Sequence, residues 1–211
     1  MIKKIGGNIL KIYVDGSYKP SVNPNVAGWG FVAYNWDGED ILQHTSYGVV
    51  ENPVSRQIDG ELKATLEALK WVQSNKEKIF PTGGRVEIFH DYEGIGRWAR
   101  NEWKTNTDLT KKYKESVNAL VLDLSPEVEI TFSWIKGHSN NVGNDWADEL
   151  ASQAVLESVD ESIKKKAPDK QQILVDKEEI EKILGLLKYP MIVPNVLTAK
   201  EYLIDLLKKF D

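Results

Sequence analysis

The spacing of apolar and polar residues changes period several times along the chain, and each change marks an element. Lys11-Ile12-Tyr13-Val14 is rich in β-formers and ends at Asp15-Gly16-Ser17, a turn signal. After a loop with one proline and two asparagines, 21–25, the segments 28–35 and 41–50 read as two more strands. They flank the turn Trp36-Asp37-Gly38-Glu39. Three strands with short connections predict an antiparallel meander. From Glu61 the pattern turns helical: Leu62, Leu66, Leu69 and Val72 recur at helical spacing, predicting about four turns. Arg85 to Phe89 returns to strand, followed by helices over 93–103 and 108–122. Ser125-Pro126 breaks the chain before Val128, Ile130 and Phe132 alternate as a strand through Trp134, and a last helix is predicted over 142–156. The order βββαβααβα predicts an α/β fold with a mixed sheet, because strand–helix–strand units make the later strands parallel neighbours.

Beyond this unit the pattern thins out. Residues 1–156 form the predicted main domain, 157–172 a linker containing Lys164-Lys165-Lys166, and 173–211 a C-terminal helical hairpin. In that hairpin Asp176 with Glu179, and Thr198 with Glu201, have capping-box spacing, while Ile180, Ile183, Leu184 and Leu187 line one stripe and Leu203, Leu206 and Leu207 another. Two short helices are marginal alone, so the pair is expected to dock on something: the core, a second copy or a protein partner.

Composition narrows the chemistry. The 211 residues include no cysteine, which excludes disulfides and thiolate metal sites, and no apolar run approaches the roughly 18 residues of a spanning helix. The N-terminus is too short and polar for a signal peptide, so the expected location is the cytoplasm, with no membrane role. A net charge of −5 argues against general charge-driven binding of nucleic acid, so any such role rests on a local site.

The candidate site is a set of carboxylates. Asp15 ends the first predicted strand and Asp91 the fourth, and in an open sheet ligands gather beyond the carboxyl ends of strands. Glu61 starts a helix and Asp148 lies on the last one. Singly, each has an ordinary reading: a turn, a helix-start charge, a loop residue. Together, four carboxylates suit magnesium, which prefers oxygen ligands, and a pair of such cations suits phosphodiester hydrolysis. On the last helix Asp148 falls at the edge of the apolar face made by Ala147, Leu150, Ala151, Ala154 and Val155. Asp145 sits roughly 60° further toward solvent, which favours Asp148 as the fourth member.

These segments also carry a family likeness. Ile12-Tyr13-Val14-Asp15-Gly16-Ser17, Gly60-Glu61-Leu62-Lys63-Ala64, His90-Asp91, Trp134-Ile135-Lys136-Gly137-His138 and Asn144-Asp145-Trp146-Ala147-Asp148-Glu149-Leu150-Ala151 resemble, in order, type 1 ribonuclease H across about residues 8–156. The resemblance implies a ribonuclease H-like fold, a five-stranded mixed sheet flanked by helices. It implies an endoribonuclease that cuts the RNA strand of RNA/DNA hybrids by two-metal-ion catalysis, leaving 5′-phosphate and 3′-hydroxyl ends. Asp15, Glu61, Asp91 and Asp148 would hold Mg2+, or Mn2+ in its place. His138 would assist proton transfer or product release from a mobile loop, consistent with its ordinary pKa near 6.5 and with Gly137 before it.

The sequence departs from the family where paired asparagines often precede the helix glutamate; here Gln57-Ile58 stands, and only Gln57 can hydrogen-bond through its side chain. Gln57, with backbone near Gly16, Ser17 and Gly60, is the expected reader of the RNA sugar. The segment Asp91-Tyr92-Glu93-Gly94-Ile95 and the short Glu102-Trp103-Lys104-Thr105 resemble the bacterial branch related to viroplasmin-linked ribonucleases H. Trp98, Trp103 and Lys104 lie where longer members carry a basic protrusion, and aromatics beside lysines suit sugar stacking and phosphate contact, although a core role for the tryptophans fits the spacing equally well. Two other readings compete. A resolvase or integrase of the same superfamily would share the acids but not the Lys-Gly-His loop followed by Ala-Asp-Glu-Leu-Ala. A non-catalytic nucleic-acid-binding module would act through the C-terminal helices, and the full set of acids argues against it.

Overall fold

A computed structural model describes residues 8–36, 40–137, 139 and 141–159; the turn at 37–39, His138, the linker from 160 onward and the C-terminal hairpin lie outside the described residues. The elements are β1 (Asn8–Ser17), β2 (Val26–Trp36), β3 (Asp40–Glu51), α1 (Gln57–Ile79), β4 (Gly84–His90), α2 (Gly94–Ala99), α3 (Asp108–Leu124), β5 (Val128–Trp134) and α4 (Val142–Glu157). They form one five-stranded sheet in the order β3-β2-β1-β4-β5. The meander β1-β2-β3 is antiparallel, whereas β4 lies parallel to β1 and β5 parallel to β4. This is the expected mixed sheet with flanking helices.

The helices bury the sheet on both faces. The alternating inward residues Leu10, Ile12 and Val14 of β1 and Val86 and Ile88 of β4 pack against Leu62, Leu69 and Val72 of α1 and Val117 and Leu124 of α3. On the other face Tyr13, Val32 and Tyr34 meet Ala147 and Leu150 of α4. The approach of α4 depends on residues without side chains: a Cβ on Gly28 would run into the Ala151 carbonyl, and one on Gly30 would lie 2.6 Å from the Ala147 carbonyl oxygen. Among the described residues no helix is long and apolar enough to cross a membrane.

Three predicted boundaries move. β1 extends to Ser17, so Asp15 lies inside the strand, opposite Gly30 of β2. What ends before Asp15 is the parallel pairing with β4, whose last pair is Tyr13 with Phe89. The sheet therefore forks there, and the crevice opens on one side of a continuing strand. α1 begins one turn earlier than the apolar stripe, at Gln57, because Asp59 accepts a 2.6 Å bond from the Ser55 backbone N–H and organises the chain entering the helix. Conversely α2 stops at Ala99, since Asn101 adopts a left-handed φ of 61° that a helix cannot continue.

Candidate active site

Asp15, Glu61 and Asp91 converge at the fork: one carboxylate oxygen from each lies within 4.8 Å of the others. Asp15 comes from β1 and Asp91 follows the last residue of β4. Glu61 lies in the second turn of α1, not at its first residue as the apolar stripe implied. Small residues bring that helix to the strand. A Cβ on Gly16 would collide with the Gln57 carbonyl and the Glu61 backbone nitrogen, and one on Gly60 with the Gly28 carbonyl. Gly16 and Gly60, expected as readers of the substrate sugar, thus form the seam that seats α1 against β1.

The cluster is buried and electrically costly. Asp15 is 7 % exposed and Glu61 6 %. Burial, then the charge of Asp91 and less strongly that of Asp148, raise the Asp15 carboxyl from 3.8 to about 8, against the opposing hydrogen bond from the Gly16 N–H at 2.7 Å. Burial, then Asp15 and Asp91, push Glu61 well above its ordinary value. Its Oε2 is buried with no hydrogen-bond partner among the described residues. An acceptor left bare in the interior is expensive for packing alone and is suited to a cation.

Asp148 stands outside the 4.8 Å set but close enough for its charge to act on Asp15. Its expected contrast in exposure with Asp145 is absent, since both are half-buried. What distinguishes Asp148 is this electrostatic reach. His138 lies outside the described residues, but Gly137 beside it is described and meets the Asp91 carboxylate.

The expected nucleic-acid contacts separate by burial. Ser17 is buried, with its hydroxyl 3.2 Å from that of Ser152 on α4, so its side chain ties β1 to α4. Trp98 is 8 % exposed and packs among Tyr92, Trp103 and Tyr113, with its indole N–H on the Lys104 carbonyl at 3.3 Å. Its ring is core and offers no face for a sugar. Gln57, Trp103 and Lys104 are exposed. Sequence reasoning missed the part played by Trp134, which donates its indole N–H to the Asp91 carbonyl at 2.9 Å. Only the pairing of β5 with β4, His90 opposite Trp134, brings the two together.

Comparison with known proteins agrees with this architecture. The family pattern of RNase H matches residues 7–156. The chain is 31 % identical over 147 residues to the ribonuclease H of Dichelobacter nodosus, covering 70 % of this chain and 92 % of that one. It is 30 % identical over 153 residues to the ribonuclease H of Francisella tularensis subsp. novicida, covering 72 % and 94 %. Among solved structures, LC11-RNase H1 in complex with an RNA/DNA hybrid superposes with a TM-score of 0.58 at 23 % identity, over 72 % of this chain and 99 % of that one. RNase H1 from the archaeon Halobacterium salinarum gives 0.56 at 17 %, over 71 % and 99 %.

Proposed function

The chain belongs to the RNase H family, and from that premise we propose that it is an endoribonuclease of type 1, hydrolysing the RNA strand of RNA/DNA hybrids. The observation that carries the reading is the fork itself: three carboxylates within 4.8 Å of one another, with the buried Glu61 Oε2 lacking a partner among the described residues. That donor set is all oxygen and anionic, which fits Mg2+ or Mn2+. Asp15, Glu61 and Asp91 would hold the ions, with Asp148 beside them. When bound, the ions supply Lewis-acid stabilisation of the phosphate and a water more readily deprotonated.

The chain's own residues do the rest. Gly16, Gly28 and Gly60 fix Glu61 against Asp15, and burial keeps competing water from their carboxylates. In this reading hydrolysis is of the two-cation type and leaves 5′-phosphate and 3′-hydroxyl ends, with His138 assisting proton transfer or product release. Gln57 and Trp103, both exposed, are the side chains proposed to meet the hybrid, with Lys104 at a phosphate. That one solved neighbour holds an RNA/DNA hybrid supports this substrate class. The resemblance of 91–95 and 102–105 supports the branch related to viroplasmin-linked ribonucleases H. The family match over 7–156 supports a catalytic unit of 1–156, followed by the linker 157–172 and the hairpin 173–211.

The test is cleavage of matched hybrid, double-stranded RNA and branched DNA in Mg2+ and in Mn2+. Hybrid alone should be cut, and Asp15→Asn should abolish cutting while leaving hybrid binding. Wild-type cleavage by the folded Asp15→Asn protein would overturn the assignment. Preferential cutting of branched DNA would favour the resolvase-like reading.

A further inference from the structure

The end of β5 and the segment after it meet the chain around Asp91 at three points. The Ile135 N–H donates to the His90 carbonyl at 2.9 Å, and the Trp134 indole N–H donates to the Asp91 carbonyl at 2.9 Å. These two bonds hold the peptides on either side of the Asp91 Cα. The third point is Gly137. A Cβ built there would lie 2.6 Å from Asp91 Oδ2, 3.4 Å from its Cγ and 3.5 Å from its Cβ.

Two facts separate Gly137 from an ordinary loop glycine. Among the described residues the glycine with a left-handed φ is Gly83, so the backbone at 137 does not need glycine for its conformation. The three atoms nearest an added methyl also belong to the Asp91 side chain, with a carboxylate oxygen closest, whereas at Gly28 the nearest is backbone. A methyl group at 137 would therefore leave the fold in place and turn the Asp91 carboxylate away.

We propose that Gly137 is a positioning residue for the metal centre: its missing side chain is the space in which the Asp91 carboxylate faces Asp15 and Glu61, on a backbone held by Trp134. The inference rests on the metal-dependent reading above. It also gives Gly137 a purpose other than loop flexibility, because the room is needed whether or not the loop moves. Outer contacts that orient a ligand typically change metal affinity about 10- to 100-fold when removed.

The experiment is calorimetric titration of the full chain with Mn2+ alone, on wild type, Gly137→Ala and Trp134→Phe, each paired with a thermal melt in chelator. Gly137→Ala should melt in chelator no lower than wild type and bind Mn2+ about tenfold or more weakly. Trp134→Phe, which keeps an aromatic ring but loses the N–H, should weaken binding in the same direction and melt slightly lower. Both variants should retain turnover at saturating Mn2+ better than at limiting Mn2+, an effect that a purely structural role would not produce. Wild-type Mn2+ affinity in a folded Gly137→Ala protein would overturn the proposal while leaving the functional reading intact. Failure of wild type itself to bind Mn2+ would overturn both.

Discussion

Replacing Asp15 by asparagine should make the metal-free protein more stable, although it removes one of the three converging acids. The wild-type carboxyl titrates at about 8 in the fold against 3.8 for an unperturbed group. A carboxylate whose folded value is raised contributes fully to stability only below its unfolded value, and the contribution is lost as pH rises toward the folded one. At pH 7 the affected window spans about three pH units, or at most about 4 kcal/mol at about 1.4 kcal/mol per unit. That cost comes first from burial and then from repulsion by Asp91 and Asp148, and side chains and water relax around it, so a gain of about 2 kcal/mol is the working expectation. Asparagine keeps an oxygen for the Gly16 N–H and carries no charge. In chelator at pH 8, Asp15→Asn should melt about 4–8 °C above wild type. The difference should vanish toward pH 4 and below, where folded and unfolded chains both hold the proton, and shrink when saturating Mg2+ stabilises wild type by binding. A variant no more stable than wild type at pH 8 in chelator would refute the claim that burial and neighbouring charge make the Asp15 carboxylate costly in the empty site.

Further expectations follow from the same geometry. Because Asp15 and Glu61 hold protons more tightly than free carboxylates, cation binding must displace them, so Mn2+ affinity should rise with pH up to about 8; calorimetry in buffers of different ionisation enthalpy reads the proton release, and an affinity flat from about pH 6 to 8 would contradict it. Trp98→Ala should cost about 3–5 kcal/mol in denaturant unfolding, as loss of a buried indole does. Trp103→Ala, at the exposed edge of the same cluster, should cost about 1 kcal/mol and show its main effect in hybrid binding measured by fluorescence anisotropy. Gly28→Ala should destabilise by about 3 kcal/mol or more, since its methyl would meet the Ala151 backbone, and should reduce cleavage by displacing the helix that carries Asp148.

Much of the fold could be read from the chain because alternation and helical recurrence are local. The strand and helix order is visible in residues such as Val128, Ile130 and Phe132, or Leu62, Leu66 and Leu69. The three central acids were legible for a related reason: each sits at or near a change of period. Less legible was whatever depends on another segment. The start of α1 at Gln57 follows from a carboxylate bonding back to Ser55, and the apolar stripe carries no trace of it. Trp98 and Trp103 look alike in sequence, five residues apart, yet one is core and the other rim. Gly16 and Gly60 drew attention for backbone groups that could meet the sugar; their small size also serves a helix–strand contact that only the folded sheet creates. Gly137 invites a reading of flexibility, and its purpose becomes visible only with Asp91 in place beside it.

The fork between β1 and β4 also bears on synthesis. Its acids come from β1, α1, the end of β4 and α4, so the site draws on nearly the whole length of the domain. Since β4 must pair beside β1, across the intervening meander and helix, the crevice has no floor until the chain has been made past His90. Domains emerge from the ribosome at about 5–20 residues per second, and distant pairings form slowly. A nascent chain ending before α4 lacks both Asp148 and the helix that closes the second face of the sheet. Cutting activity is therefore withheld until translation of the domain is essentially complete, and a chain released early carries carboxylates without a working nuclease.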